Sequence, residues 1–207
     1  MNPIQIDDIL GRERYGTDRD AIRRRLTHYK RARRVSVGPH LTFIFEDRVT
    51  VWYQIQEMLW VEQITDLDAI RAELDVYNGM LPQGAELSAT LLIEIADQQQ
   101  VVDVLNRLVG IDECVTMEIA DRLHVRATFE PDRQTADKVS AVQYVRFPIN
   151  GATRAAVAGG SPITLRITHP HYTEAQRLPA PLAASLAAEL QNPMVMAAAL
   201  RQVRDGD

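Results

Sequence analysis

Val115-Thr116-Met117-Glu118-Ile119-Ala120-Asp121-Arg122-Leu123-His124-Val125-Arg126-Ala127-Thr128-Phe129 carries apolar side chains at alternate positions on both sides of Asp121. A period of two puts successive side chains on opposite faces of a strand, so this stretch predicts a tight hairpin with one face buried. Upstream, Leu87 to Ile95 is another strand-like run, and Val101, Val102, Leu105, Leu108 and Val109 are spaced as a helix ended by Gly110. Downstream, Pro131 to Lys138 reads as a polar loop and Val142 to Phe147 as a strand. A short helix over 152–158, a strand at Ile163 to Thr168 and an Ala-rich helix starting near Pro181 complete the chain. This order predicts a mainly antiparallel or mixed sheet with helices packed against one face.

The N-terminal part reads differently. Thr17-Asp18-Arg19-Asp20 has the spacing of a capping box and predicts a helix from there to about Arg34, with Ile22, Leu26 and Tyr29 on its buried side. Val35, Val37, Leu41, Phe43 and Phe45 alternate around Gly38-Pro39, as in a short strand pair. A helix is expected from about Asp47 to Ile64, although Val49, Val51, Tyr53 and Ile55 also fit a strand, and Asp66 caps a further helix whose end falls at Asn78-Gly79, where a left-handed residue is expected. The fold class is therefore α+β, a helical N-terminal part followed by a sheet with helices on it. Residues 1–80 and 81–207 form either two units or one continuous domain, since Leu81-Pro82-Gln83-Gly84 is short enough for both.

Composition narrows the classes of function. The 207 residues are 46% hydrophobic and 25% charged, as in ordinary globular chains. No apolar run approaches the roughly 20 residues of a membrane span. Met1 to Leu10 has no basic segment leading into an apolar one, so no secretory signal is expected; with the single Cys114, this makes the cytoplasm the expected location. Asp112 and Glu113 precede that cysteine and disfavour its thiolate. The net charge of −5 is uneven: residues 1–34 hold ten Lys/Arg against five Asp/Glu, and the remainder thirteen against twenty-three.

Sequences of the G-x-G-x-x-G, Walker, G-x-S-x-G and H-E-x-x-H types are absent, so no catalytic residues are assigned. Three groups remain. His169 and His171 flank Pro170, and in an extended segment they share a side and can address one metal ion, with Tyr172 beside them. A third ligand must come from elsewhere, such as His40, His124 or a carboxylate like Glu57; the alternative is a Pro-fixed turn whose rings bond to the backbone. Gln54, Gln56 and Glu57, near Trp52 and Trp60, are candidates for binding a polar ligand, with a solvated helix face as the alternative. Eight Lys/Arg lie between Arg19 and Arg34, with Arg31, Arg33 and Arg34 closing the run; they suit an acidic partner better than nucleic acid, because aromatic residues for stacking on bases are missing there, Tyr29 apart.

Arg33-Arg34-Val35-Ser36-Val37-Gly38-Pro39, Phe45-Glu46, Gln54-Ile55-Gln56-Glu57-Met58-Leu59, Glu86-Leu87-Ser88-Ala89-Thr90-Leu91 and His169-Pro170-x-Tyr172 together resemble a bacterial family of unknown function, the one numbered 3501, over roughly residues 10–190. The resemblance carries no catalytic residues across. It implies a gene lying beside those for rubrerythrin and a cysteine-rich iron–sulfur protein, which suggests a role in peroxide or electron handling. With one cysteine and no Glu-x-x-His helix pairs, an accessory role is expected rather than electron carriage. The leading expectation is a non-enzymatic accessory or binding protein whose arginine-rich helix and Gln54–Glu62 helix meet a partner. The alternatives are a small metal-assisted or redox-linked enzyme using His169, His171 and Glu57, and a nucleic-acid binder.

Overall fold

A computed structural model of the chain describes residues 1–131, 134–135, 138–192 and 194–206. In chain order the elements are α1 (Arg12–Arg31), β1 (Arg34–Val37), β2 (Leu41–Glu46), α2 (Arg48–Val61), α3 (Leu67–Asn78), β3 (Glu86–Ile93), α4 (Val101–Arg107), β4 (Val115–Ile119), β5 (Leu123–Arg126), β6 (Thr128–Phe129), β7 (Gln134–Thr135), β8 (Lys138–Val139), β9 (Val142–Pro148), α5 (Gly151–Ala158), β10 (Ile163–His169), β11 (Tyr172–Arg177), α6 (Ala180–Gln191) and α7 (Met194–Asp205). Every strand pair among the described residues is antiparallel.

The fold is α+β with antiparallel strands, as expected, and the strands divide between two main sheets where one was expected. Strands β1-β2-β3-β9-β6 make one, β11-β10-β4-β5 the other, and β7-β8 pair apart from both. The expected hairpin supplies β4 and β5, with Ala120 and Asp121 at φ 53° and 57° in its turn. It does not continue to Phe129: after Ala127 the chain crosses to the first sheet, where Thr128 and Phe129 pair with Arg146 and Val145. Residues 132–133 and 136–137 of the expected polar loop lie outside the described residues.

Apolar side chains of both sheets meet in one core with Val157 of α5 and Leu182 and Leu186 of α6. A second core joins Tyr15, Ile22 and Leu26 of α1, Trp52, Ile55 and Leu59 of α2, Leu74 of α3 and Leu200 and Val203 of α7. The helices thus divide between two cores instead of covering one face of a sheet. Pairing of β2 with β3, and packing of α7 on α1 and α2, tie the N-terminal part to the rest of the chain.

Local signals set most boundaries. The Asp47 carboxylate accepts from the Val49 and Thr50 N–H groups at 2.8 and 3.0 Å, and Asp66 caps α3 through Asp68 and Ala69. Three expected boundaries change. Helix α1 begins at Arg12, and the Thr17 hydroxyl donates to Glu13 O, one turn back within the helix, so no capping box forms there. Gly79 has φ −59° and is not left-handed. The C-terminal helix is divided at Asn192, whose backbone is extended.

Strand β11 is not foreshadowed by the sequence, because only Tyr172 of its six residues is buried and no alternation marks it. That side chain joins the two sheets. Its hydroxyl donates to Val37 O at 2.6 Å and accepts from the His40 N–H at 3.1 Å, across the β1–β2 turn. Gly38 sits in that turn at φ +68°, and a Cβ there would lie 2.5 Å from the Tyr172 hydroxyl. Tyr172→Phe leaves the Val37 carbonyl and the His40 amide without their partner. We expect a loss of about 1–3 kcal/mol in urea unfolding; a change within a few tenths would contradict this inter-sheet role.

Candidate functional site

The arginine-rich segment divides between the interior and the surface. Arg33 lies two residues before Val35 and four before Val37, on the same inward side, and it is fully buried. Its guanidinium faces the Asp47 carboxylate at 3.3 Å and donates to Glu189 Oε2 at 2.9 Å. It also donates to Ser185 Oγ and to the carbonyls of Phe45 and Glu46. The Tyr29 hydroxyl donates to Asp47 Oδ2 at 2.5 Å. Burial works against the charge on Arg33, but Asp47 and Glu189 outweigh it and the group stays protonated. Burial also raises the Glu189 carboxyl, against the pull of Arg33. Arg33, expected on a partner surface, is therefore a core residue, a placement that its period-two spacing with Val35 and Val37 foreshadows.

Along α1 several cations have internal partners. Arg12 lies 4.5 Å above the Trp60 ring and donates to Trp60 O, and Arg14 pairs with Asp205 at 2.7 Å. Arg19 grips Glu57 with two hydrogen bonds of 2.8 and 2.7 Å, and Arg25 donates to the Val203 and Arg204 carbonyls at the end of α7. Asp20, Arg23, Arg24, Thr27, His28 and Arg31 recur three or four residues apart and line one open stretch of α1. Arg23 bonds to Tyr53, whereas Arg24 and Arg31 have no ion-pair partner among the described residues. Arg34, on β1, pairs with Glu94 at 2.7 Å in the open.

Glu57 accepts from Tyr15 as well as Arg19, so its carboxylate faces α1. The Gln56 amide is buried; its oxygen accepts from the Leu10 N–H at 2.6 Å and its nitrogen donates to Leu10 O, which holds the segment entering α1. Gln54 donates to Glu46 Oε2, whose other oxygen accepts from Thr90 at 2.5 Å. The three side chains thus point to three different neighbourhoods.

His169 is buried and its ring contacts the backbone on both sides, with Nε2 2.9 Å from Val109 O and Nδ1 accepting from the His171 N–H. His171 is exposed with its ring centroid 5.8 Å away, and no group of three His, Cys, Asp or Glu among the described residues is placed to hold a metal ion. Cys114 bonds to Gly110 O, and burial followed by the charges of Glu113 and Asp112 raises its thiol pKa. The residues that the sequence did not mark are Asp47 and Glu189 as partners of Arg33, and Arg12 with Trp60. Glu189 is 156 residues from Arg33, beyond any local pattern.

A model of the family described as a protein of unknown function (DUF3501) matches residues 3–190. The chain belongs to this family. It is also similar to a solved crystal structure of a novel protein of unknown function from Burkholderia pseudomallei K96243, with 40% identity over 91% of this chain and 99% of that one, and a TM-score of 0.85. A search of the curated proteins gives no match. Helix α7 lies beyond the matched range, and no helix among the described residues is long and apolar enough to cross a membrane.

Glu57 gives a test of the packing beneath the basic helix. Hydrogen bonding from Arg19 lowers its pKa, against burial and with help from Tyr15. A lowered pKa in the folded state adds stability above the unfolded value, and that stability is lost as pH falls through the folded one. Glu57→Gln should therefore be less stable than the parent at neutral pH, by about 1 kcal/mol. The gap should close on acidification below the ordinary glutamate pKa of about 4.3. Thermal melts across that range check this, and a gap independent of pH would contradict it.

Proposed function

We propose that the chain is a non-enzymatic binding protein that presents the outer face of α1 to an acidic protein surface. The observation that carries this is the stripe of Arg23, Arg24, His28 and Arg31 at helical spacing, exposed and joined by the single acid Asp20. Internal pairs engage Arg12, Arg14, Arg19, Arg25 and Arg33, and Arg23 bonds to Tyr53, so on this face Arg24 and Arg31 are without an ion-pair partner among the described residues. Exposed charges of this kind steer association and set its salt dependence.

An acidic protein suits the stripe better than nucleic acid. Only His28 in the stripe carries a ring able to stack on a base, and the acidic remainder of the chain, thirteen Lys/Arg against twenty-three Asp/Glu over residues 35–207, repels a long duplex more than a short acidic patch that meets the stripe alone. The accessory role in peroxide or electron handling that the family resemblance implies is a role of this docking kind.

The test is fluorescence anisotropy with a labelled polyglutamate peptide and, separately, labelled duplex DNA. We expect polyglutamate to bind, the binding to weaken as salt rises, and an Arg24→Glu/Arg31→Glu variant to lose at least tenfold in affinity with its melting temperature unchanged. Equal binding by the variant, or tighter binding of the duplex at the same ionic strength, would overturn the proposal.

A further inference from the structure

A half-open apolar recess lies at the other end of α1 from Arg31. The N-terminal segment gives it Ile6, Ile9 and Leu10, α2 gives Leu59 and Trp60, and Ile64, Leu67 and Ile70 close it from the α2–α3 connection and α3. Its volume is about 240 Å³, below the roughly 300 Å³ at which pockets for drug-sized ligands and cofactors begin. Only a short, slender guest fits.

The polar groups in the wall decide its chemistry. The Tyr15 hydroxyl is engaged by Glu57, the Gln56 amide is engaged at both ends by Leu10, and Thr65 adds one neutral hydroxyl at an exposed position. Arg12 is the one charged side chain lining the recess. Its guanidinium lies over the Trp60 ring, and Nη1 donates to Trp60 O at 3.0 Å, while its other N–H groups have no partner among the described residues. A guanidinium lying over an aromatic ring offers a flat fork of donors that matches a carboxylate.

Trp60 holds this arrangement in place. Its ring meets Tyr15 edge-on at 6.1 Å and crosses α1 at Gly16, where a Cβ would come within 2.7 Å of it. Leu67, 56% exposed, stands among the lining residues with part of its side chain in solvent, so the recess opens to water.

We propose that this recess binds a medium-chain aliphatic carboxylate, with the chain among Ile6, Ile9, Leu59, Ile64 and Ile70 and the carboxylate on Arg12. This site is separate from the stripe of Arg23, Arg24 and Arg31, and it stands or falls independently of the partner proposal. Each methylene buried in such a recess should tighten binding about fourfold until the recess is full.

Isothermal calorimetry on the full chain tests this with butanoate, hexanoate, octanoate, octylammonium and octanol. Saturable 1:1 binding is expected for octanoate, weaker binding for the shorter acids, and octylammonium at least tenfold weaker than octanoate. Arg12→Gln, a change at an exposed side chain, should weaken octanoate about tenfold and leave octanol unchanged. Trp60 emission should shift on octanoate binding and report the location. The absence of saturable octanoate binding, equal affinity for octylammonium, or indifference to Arg12→Gln would overturn the assignment.

Discussion

A single guanidinium in the interior holds three distant parts of the chain together. Arg33 stands where α1 gives way to β1, Asp47 caps α2, and Glu189 comes from α6. None of the three is tolerable alone: an unpaired buried charge costs several kcal/mol, and only mutual attraction and well-placed hydrogen bonds offset that. Arg33 makes four hydrogen bonds, to the Phe45 and Glu46 carbonyls, the Ser185 hydroxyl and Glu189, and its Nε also faces the Asp47 carboxylate at 3.3 Å. Tyr29 adds a neutral donor to Asp47, since burial and the carboxylate keep its hydroxyl protonated.

Because Asp47 both pairs with Arg33 and caps α2, the network fixes where α2 starts, and hence the positions of Gln56, Glu57 and Trp60 along it. Those side chains in turn receive Leu10, Arg19 and Arg12. The basic helix is thus anchored from below at several points, which leaves Arg24 and Arg31 outward without an internal use for their charge. The same anchoring shapes the recess beside Trp60.

Much of the fold was legible because its causes are local. Asp47 and Asp66 signal the starts of α2 and α3 by capping, and the alternation at Val115 to Ile119 and Leu123 to Val125 signals a hairpin. Where tertiary contacts take over, the signals fail. Helix α1 starts at Arg12 without a side-chain cap, with Gln56 holding Leu10 just before it, so the box at Thr17 marks nothing. Strand β11 lies at a sheet edge with one buried side chain, and the crossing at Ala127 changes sheets without a break in alternation. The candidate site was visible as a run of basic residues, but its division was not: Glu57 and Asp205, which engage Arg19 and Arg14, lie 38 and 191 residues away. The spacing of His169 and His171 suits a shared ligand, yet the His169 ring is held by backbone groups on both sides and the His171 ring lies exposed.

Neighbouring arginines of one basic segment have opposite duties, Arg33 inside and Arg31 outside. Equilibrium urea unfolding of Arg33→Met and Arg31→Met, measured side by side, tests it directly. Arg33→Met strands Asp47 and Glu189 in the core and should cost about 3–5 kcal/mol, whereas Arg31→Met should stay within about 0.5 kcal/mol of the parent. Similar losses for the two variants, or an Arg33→Met protein as stable as the parent, would contradict the account.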